Sequence, residues 1–241
     1  MSQLRWSRLP ALAVAPALAI LAVAGCSSGG SASPHAAQTA GGHATSTPSA
    51  SYTANQLRGA LLTKVNGQSP AEPVESGAYG SLAEVKATRN SLTGVTVKPA
   101  ECAQTTVTGF NSPPFAKVPA TVSTFKVGGN GVSEVLLAPS AGTAALAMRN
   151  QVPASCTRYT AATKGKTFVY TVSEQPVRNL GRAARAMNIK ASGAESINVW
   201  SVVYRASDFV GAVTIVGPGA SANVVTTLAA QAYAHAVKTL H

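Results

Sequence analysis

The sequence predicts an α+β domain built on an antiparallel sheet that is flanked by helices. The second half of the chain alternates short β-rich segments with turn residues, and segments with helical periodicity stand at the beginning, in the middle and at the end. Strands in close succession favour hairpin connections and an antiparallel sheet, against which helices segregate to bury their apolar faces. Two cysteines, Cys102 and Cys156, lie within this region.

Four segments are predicted as helices. Thr53 to Gln56 has the form of a capping box, followed by Leu57, Leu61 and Val65 at helical spacing. A second capping signature, at Ser81 to Glu84, precedes another apolar series and a strand at 95–97. The predicted bounds are 54–66 for the first helix, a second helix from Ser81, a third from Pro139-Ser140 to near Cys156, and 220–240 for the last.

The strand predictions begin with a hairpin. Segments 121–127 and 132–138 alternate around Gly128-Gly129-Asn130-Gly131, which is a turn signal between two strands. Five further β-rich segments follow at 157–162, 166–173, 183–190, 197–205 and 209–216.

The N-terminus predicts a lipoprotein signal peptide over residues 1–25. Arg5 and Arg8 precede an apolar run that ends in Val23-Ala24-Gly25-Cys26, an arrangement typical of a secretory signal followed by a bacterial lipobox. The apolar run is short for a membrane-spanning helix. We therefore expect the mature chain to begin at Cys26, which would carry lipid and hold the protein on the outer face of the cell membrane.

Residues 26–52 have the composition of a tether. They consist almost entirely of Ser, Gly, Ala, Thr, Pro and His, without Leu, Ile, Val or Phe, and such segments cannot bury enough apolar surface to fold. His35 and His43 lie here, too isolated to form a metal site. A single domain of ordinary size is then expected over residues 53–241.

The charge balance is basic. Removal of residues 1–25 takes away two of the 19 basic residues and none of the eight acidic ones, which lowers the formal charge from +11 to +9. The basic residues are dispersed and aromatic residues are few, so nucleic-acid binding is not expected. A basic surface suits an anionic membrane or an anionic wall polymer.

The cysteine pair is expected to be structural. In an oxidising exported setting two isolated cysteines favour a disulfide over a thiol nucleophile. A catalytic cysteine would need a histidine partner, and the domain contains only His235 and the terminal His241.

No enzyme motif is present in the sequence, and neither a cofactor nor a metal is expected. The chain lacks a Gly-x-Ser-x-Gly elbow, a His-Glu-x-x-His helix and a Gly-x-x-x-x-Gly-Lys-Ser/Thr loop. Gly217-Pro218-Gly219 follows a strand and opens a helix, as in a dinucleotide fingerprint, but no second parallel strand can follow the last helix. We interpret it as a strand-to-helix turn with Ser221 near the N-cap.

Two stretches resemble the PknH-like extracellular sensor domain, a family found on a mycobacterial kinase and on actinobacterial lipoproteins. Val95 to Cys102 is similar to the strand and Pro-x-x-Cys approach of that family, and Val132 to Cys156 to its strand, Ala-rich helix and cysteine. The resemblance implies an α+β domain with a Cys102–Cys156 disulfide, whose sheet and helices frame a cleft for an unidentified ligand, and no catalytic residues. The kinase domain carries a second disulfide, which this chain cannot form because no cysteine follows Cys156.

Candidate ligand-binding residues are Trp200, Tyr204, Arg182 and Arg185. Trp200 and Tyr204 share one face of the strand at 197–205 and would form the floor of a cleft. The densest basic cluster of the sequence is formed by Arg178, Arg182, Arg185 and Lys190. If 183–190 is a strand, Arg182 and Lys190 lie on one face and Arg185 on the other; if its beginning is helical, Arg178, Arg182 and Arg185 form one stripe. Either arrangement could supply the cationic rim of the cleft. Core packing for the aromatic residues and solvated edge charges for the arginines are the structural alternatives.

Two functions remain open. One is a non-enzymatic, lipid-anchored sensor or ligand-binding module of the cell envelope, which would recognise an anionic amphiphile or another envelope ligand and act through an envelope protein partner. The other is a carrier for a lipid or another apolar molecule. A large apolar cavity would favour the carrier, whereas a shallow cleft with a polar rim would favour the sensor.

Overall fold

The computed structural model describes residues 51–105, 108–149, 152–193 and 196–241. The predicted signal peptide, the lipidation site Cys26 and nearly all of the predicted tether therefore lie outside the described residues. Within those residues, no helix is both long and apolar enough to cross a membrane.

In the described part of the chain, nine antiparallel strands form one sheet in the order β1-β3-β4-β9-β8-β7-β6-β5-β2. The strands are β1 (Glu75–Ala78), β2 (Thr96–Lys98), β3 (Pro119–Val127), β4 (Asn130–Leu137), β5 (Arg158–Thr163), β6 (Lys166–Pro176), β7 (Ala183–Gly193), β8 (Ile197–Arg205) and β9 (Val210–Val216). The predicted antiparallel sheet is thus confirmed, and it dominates the fold.

Among the described residues, four α-helices accompany the sheet: α1 (Ala54–Gly59), α2 (Ala83–Ser91), α3 (Ala141–Arg149) and α4 (Ala222–Leu240). Thr53 caps α1 through the predicted capping box, and Ser221 caps α4, where its hydroxyl accepts a hydrogen bond from the Val224 N–H. Both helix starts follow from short polar side chains placed directly before an apolar series.

One face of the sheet is covered by α1 and α4. Val202 on β8 and Ile215 on β9 point to this face, where they pack against Leu57 of α1 and against Val225 and Leu228 of α4. We call it the α4 face. The cross-strand pairs fix it, because residues directly opposite each other on neighbouring strands point to the same side.

The opposite face carries two further apolar clusters. One joins Val85 of α2 and Ala144 of α3 to the strands through Phe110, Phe115 and other buried residues. The other surrounds Cys102 and Cys156 beneath β5, β6 and β7. The central strands are consequently buried on both sides.

The disulfide between Cys102 and Cys156 is present, as predicted. Cys102 lies in a 3₁₀ helix directly after β2, and Cys156 ends a 3₁₀ helix directly before β5. Because β2 pairs with β5 at the edge of the sheet, the bridge joins the two chain segments that lead into this pair.

The first helix is shorter than predicted. It ends at Gly59 rather than at residue 66, and the Leu62 N–H donates to Oε2 of Glu134 on β4, at 2.9 Å, instead of to a helix carbonyl. Leu61 and Val65 are still buried, as their spacing indicated. A buried side chain on the sheet therefore competes successfully with the last turn of the predicted helix.

Candidate functional site

The predicted aromatic floor lies on the α4 face. Trp200 is half-buried there, and Tyr204 is fully buried beneath α4, with its ring 6.4 Å from Phe209 and 5.6 Å from Tyr233 in edge-to-face arrangements. The ring of Tyr204 lies directly over Gly211 on the neighbouring strand, where a Cβ atom would come within 2.4 Å of it. Tyr204 is therefore a core residue of this structure.

The two arginines predicted for the rim are not brought together with that floor. Arg185 pairs with Val203 across β7 and β8, so it points to the face opposite Tyr204. Arg182 lies just before β7 and is exposed. Residue 183 begins a strand, and the alternative of a helical arginine stripe is wrong.

Arg185 holds three segments together. Its guanidinium donates to the Ala147 carbonyl near the end of α3, to the Thr108 carbonyl and to Glu174 on β6, at 3.0–3.1 Å. Burial lowers the pKa of Arg185, and the neighbouring carboxylate of Glu174 opposes that shift. The donors of this side chain are engaged within the protein. The ligand-binding role of Trp200, Tyr204, Arg182 and Arg185 stays a prediction.

A cavity of about 490 Å³ lies at the β1 end of the sheet, on the face opposite α4. Its size falls within the range of small-ligand sites, roughly 300–1,000 Å³. We call it the β1 pocket. Its lining combines acidic, hydroxyl and apolar residues: Glu72, Pro73, Glu75, Ser76, Ser81, Leu82, Ala83, Glu84, Val122 and Thr124. The hydroxyl of Ser76 is hydrogen-bonded to Thr121 on the α4 face of the sheet.

One wall of the β1 pocket is the start of α2. Leu82 cannot cap this helix with its side chain, and the carboxylate of Glu75 does so instead, because it accepts hydrogen bonds from the backbone N–H groups of Ala83 and Glu84. A negative charge at the start of α2 is favourable because the helix dipole is positive there. The sequence places a carboxylate eight residues ahead of the helix that it caps.

The remaining carboxylates give the β1 pocket a negative potential. The pKa of Glu84 is raised, first by burial and then by the charges of Glu75 and Glu72. Within the described residues, neither Glu72 nor Glu84 makes a salt bridge. A positively charged group in the pocket would relieve this repulsion.

A second polar group lies inside the core of the α4 face. Glu134 is buried and directly opposite Ser123 on β3. Its Oε1, the Ser123 hydroxyl and the Tyr204 hydroxyl have no hydrogen-bond partner among the residues that the structure describes. Burial raises the pKa of Glu134 to about 7, although the hydrogen bond from Leu62 opposes the shift. The pKa of Tyr204 is raised well above its ordinary value, by burial and then by Glu134 and Tyr233.

The carboxylates of Glu75 and Glu134 are held by contacts within the protein. Among the described residues, no group of three or more His, Cys, Asp or Glu side chains could hold a metal ion. The pocket carboxylate of Glu75 is engaged as a helix cap. Glu134 lies in the core, where only backbone and side chains of the protein reach it.

Neither the β1 pocket nor the buried Glu134 was predicted. The signal for the pocket was the spacing of the acids, because three of the eight in the chain fall between residues 72 and 84. The signal for Glu134 was strand alternation: it stands between Val132 and Leu136, so all three point to the same buried face.

Solved structures that are similar to this chain include two mycobacterial proteins. The extracellular domain of PknH from Mycobacterium tuberculosis is 14% identical over 78% of this chain and 96% of that chain, with a TM-score of 0.47. An uncharacterised protein from Mycobacterium smegmatis, the ortholog of Rv0999, is 17% identical over 61% of this chain and 76% of that chain, with a TM-score of 0.39.

No family model and no curated protein matches the chain. The similar structures include an extracellular PknH domain, as the sequence resemblance implied, at a TM-score below 0.5. Membership of that family stays a prediction.

Proposed function

We propose that the protein is a lipid-anchored, non-enzymatic ligand-binding module on the extracytoplasmic face of the cell membrane. The anchor would be Cys26, at the end of the signal-like segment. The disulfide between Cys102 and Cys156 supports an oxidising location, because such bonds persist mainly outside the cytoplasm. The domain would act as a sensor, passing ligand occupancy to an envelope protein partner.

The observation that supports ligand binding is the β1 pocket. Its volume of about 490 Å³ suits a small molecule. The ligand class that fits is a polar molecule carrying an amine. The charged group would lie near Glu72 and Glu84, and its hydroxyl or carbonyl groups would meet the hydroxyls of Ser81 and Thr124. Hydrogen bonds between charged and neutral partners of this kind fix the orientation of a ligand.

The lining of the pocket favours the sensor over the carrier. The carboxylates and the hydroxyls of Ser81 and Thr124 would be costly to cover with an apolar molecule, because their hydrogen bonds to water would be lost without replacement. An anionic amphiphile at Trp200 and Arg182 remains the hypothesis drawn from the sequence. It would have to bind without Tyr204 and Arg185, whose side chains are engaged inside the protein.

Titration of the mature chain with spermidine tests the pocket. We expect amide chemical-shift changes at Ser76, Ser81 and Thr124 that are larger than those produced by sodium chloride at equal ionic strength. Glu84→Gln should weaken binding about tenfold, because it removes one charge at the site. Glu101→Gln, an exposed acid that does not line the pocket, is the matched control and should leave binding unchanged.

Shifts spread over the whole surface, or equal weakening by both substitutions, would contradict binding in the pocket. Anchoring is tested separately in cells by incorporation of a labelled fatty acid. The wild-type protein should be labelled and partition into detergent, whereas Cys26→Ser should do neither. Labelling that persists in Cys26→Ser would contradict lipidation at this residue.

A further inference from the structure

One end of the α4 face has no helix over it. Helix α4 packs on β7, β8 and β9. Among the described residues, no helix covers the same side of β6, β5 and β2. The side chains that point outward there include Thr171 and Ser173 on β6, both exposed. On the other side of these strands lies the cluster around the disulfide, so the open side is not left over from an incomplete core.

Three cations stand on this open surface. The cross-strand register places Arg158 of β5, Thr171 of β6 and Lys190 of β7 in one row. Lys98 of β2 stands opposite Thr160, which is two residues from Arg158 on the same side of β5. All three cations are exposed. We call the surface of Lys98, Arg158 and Lys190, with the hydroxyl residues between them, the basic face.

The basic face is flat and extended. Arg158 and Lys190 are two strands apart, about 10 Å between their backbones, and Lys98 lies one strand beyond Arg158. The residues that separate them, Thr160 and Thr171, are short. The row therefore presents spaced charges on a sheet surface rather than a groove, and this shape fits a surface better than an elongated chain.

The described strands supply no negative charge on the side of the basic face. No Asp or Glu occurs among the described strand residues that point to this side of β2, β5, β6 and β7. The N-terminal residues cannot supply one either, because the first acid in the whole chain is Glu72. An anionic partner from outside the protein would complement these charges.

We propose that the basic face docks on an anionic phospholipid bilayer. Clustered Lys and Arg side chains are attracted to anionic headgroups, and the attraction adds up over the charges that reach the surface. The exposed hydroxyls can donate hydrogen bonds to phosphate oxygens. The proposal does not depend on lipidation at Cys26.

Vesicle sedimentation tests the proposal with the unlipidated mature chain, residues 27–241, which contains every described element and the disulfide. We expect binding to vesicles of phosphatidylcholine with one quarter phosphatidylglycerol, no binding to phosphatidylcholine alone, and loss of binding in high salt. The triple variant Lys98→Gln, Arg158→Gln, Lys190→Gln should bind at least about tenfold more weakly.

The matched control is Arg58→Gln, Lys64→Gln, Lys86→Gln. This control variant also removes one arginine and two lysines, from exposed positions on α1, on the loop after it and on α2. It should bind like the wild type. Equal weakening by the two triple variants would overturn the proposal, since only the net charge would matter. Absence of vesicle binding, or binding to soluble polyphosphate but not to vesicles, would also overturn it. None of these results depends on the β1 pocket or on Cys26.

Discussion

The centre of the sheet and its β2 end are stabilised differently. Strands β8 and β9 are buried on both sides, and their sequences are almost continuous apolar runs, such as Val210 to Val216. On β6, in contrast, Val172 is buried while its neighbours Thr171 and Ser173 are exposed. The composition of a strand thus indicates whether one or both of its faces are covered. At the β2 end of the sheet only one face is covered, whereas at the centre both are.

The largest expected effect is a loss of stability that depends on which of the two regions is substituted. Tyr204→Ala removes a fully buried ring from the centre and should lower the free energy of unfolding by about 3–5 kcal/mol. Thr171→Ala, on the uncovered side of β6, should change it by less than about 0.5 kcal/mol. Urea denaturation followed by tryptophan fluorescence measures both. Similar losses in the two variants would mean that the open end is covered in solution.

The second prediction concerns what replaces packing at the β2 end. Joining residues 54 apart in sequence restricts the unfolded chain, and removing the disulfide should cost about 4 kcal/mol in the loop-entropy model. The variant Cys102→Ala, Cys156→Ala should also lose hydrogen-exchange protection in β2 and β5 before it is lost in β8 and β9. Uniform loss over the sheet would contradict a local role of the bridge.

The third prediction uses the buried acid at the centre. The pKa of Glu134 is about 7 in the folded protein, against an ordinary value of 4.5, so between these pH values the folded state holds a proton that the unfolded state has released. Stability should therefore fall as the pH rises from about 4.5 to 7, by up to about 3 kcal/mol. Glu134→Gln should lose this part of the pH dependence and be more stable than the wild type at pH 8.

Urea midpoints at pH 4, 6 and 8 measure the effect. Glu101→Gln, an exposed acid outside the core, should retain the wild-type pH dependence. Parallel pH profiles for wild type and Glu134→Gln would show that this carboxyl titrates alike in the folded and unfolded states.

Much of the fold could be predicted because periodicity in the sequence is strong where packing is simple. The bounds of β8 agree with the prediction of 197–205, and the predicted hairpin corresponds to β3 and β4, extended by about two residues at the turn and at the start. The last helix begins two residues later than predicted, at Ala222, because Ser221 is the cap.

The rest depended on contacts between distant segments. Strand β1 is four residues long and has no apolar alternation, so only its pairing with β3 makes it a strand. Neither the end of α1 nor the three partners of Arg185 can be inferred from neighbours along the chain, since the groups involved lie 11 to 77 residues away. The β1 pocket was missed for the same reason.

The position of the disulfide has a consequence for the two edges of the sheet. Strands β1 and β2 are near neighbours in sequence yet lie at opposite edges, joined by the segment that contains α2. With the bridge closed, Cys156 keeps β2 at a high effective concentration beside β5, whatever happens to that segment. A single proteolytic cut between β1 and β2 would leave the far edge paired in the oxidised protein, whereas in the reduced protein β2 would be tethered only by the segment that leads to β3 and could leave the sheet.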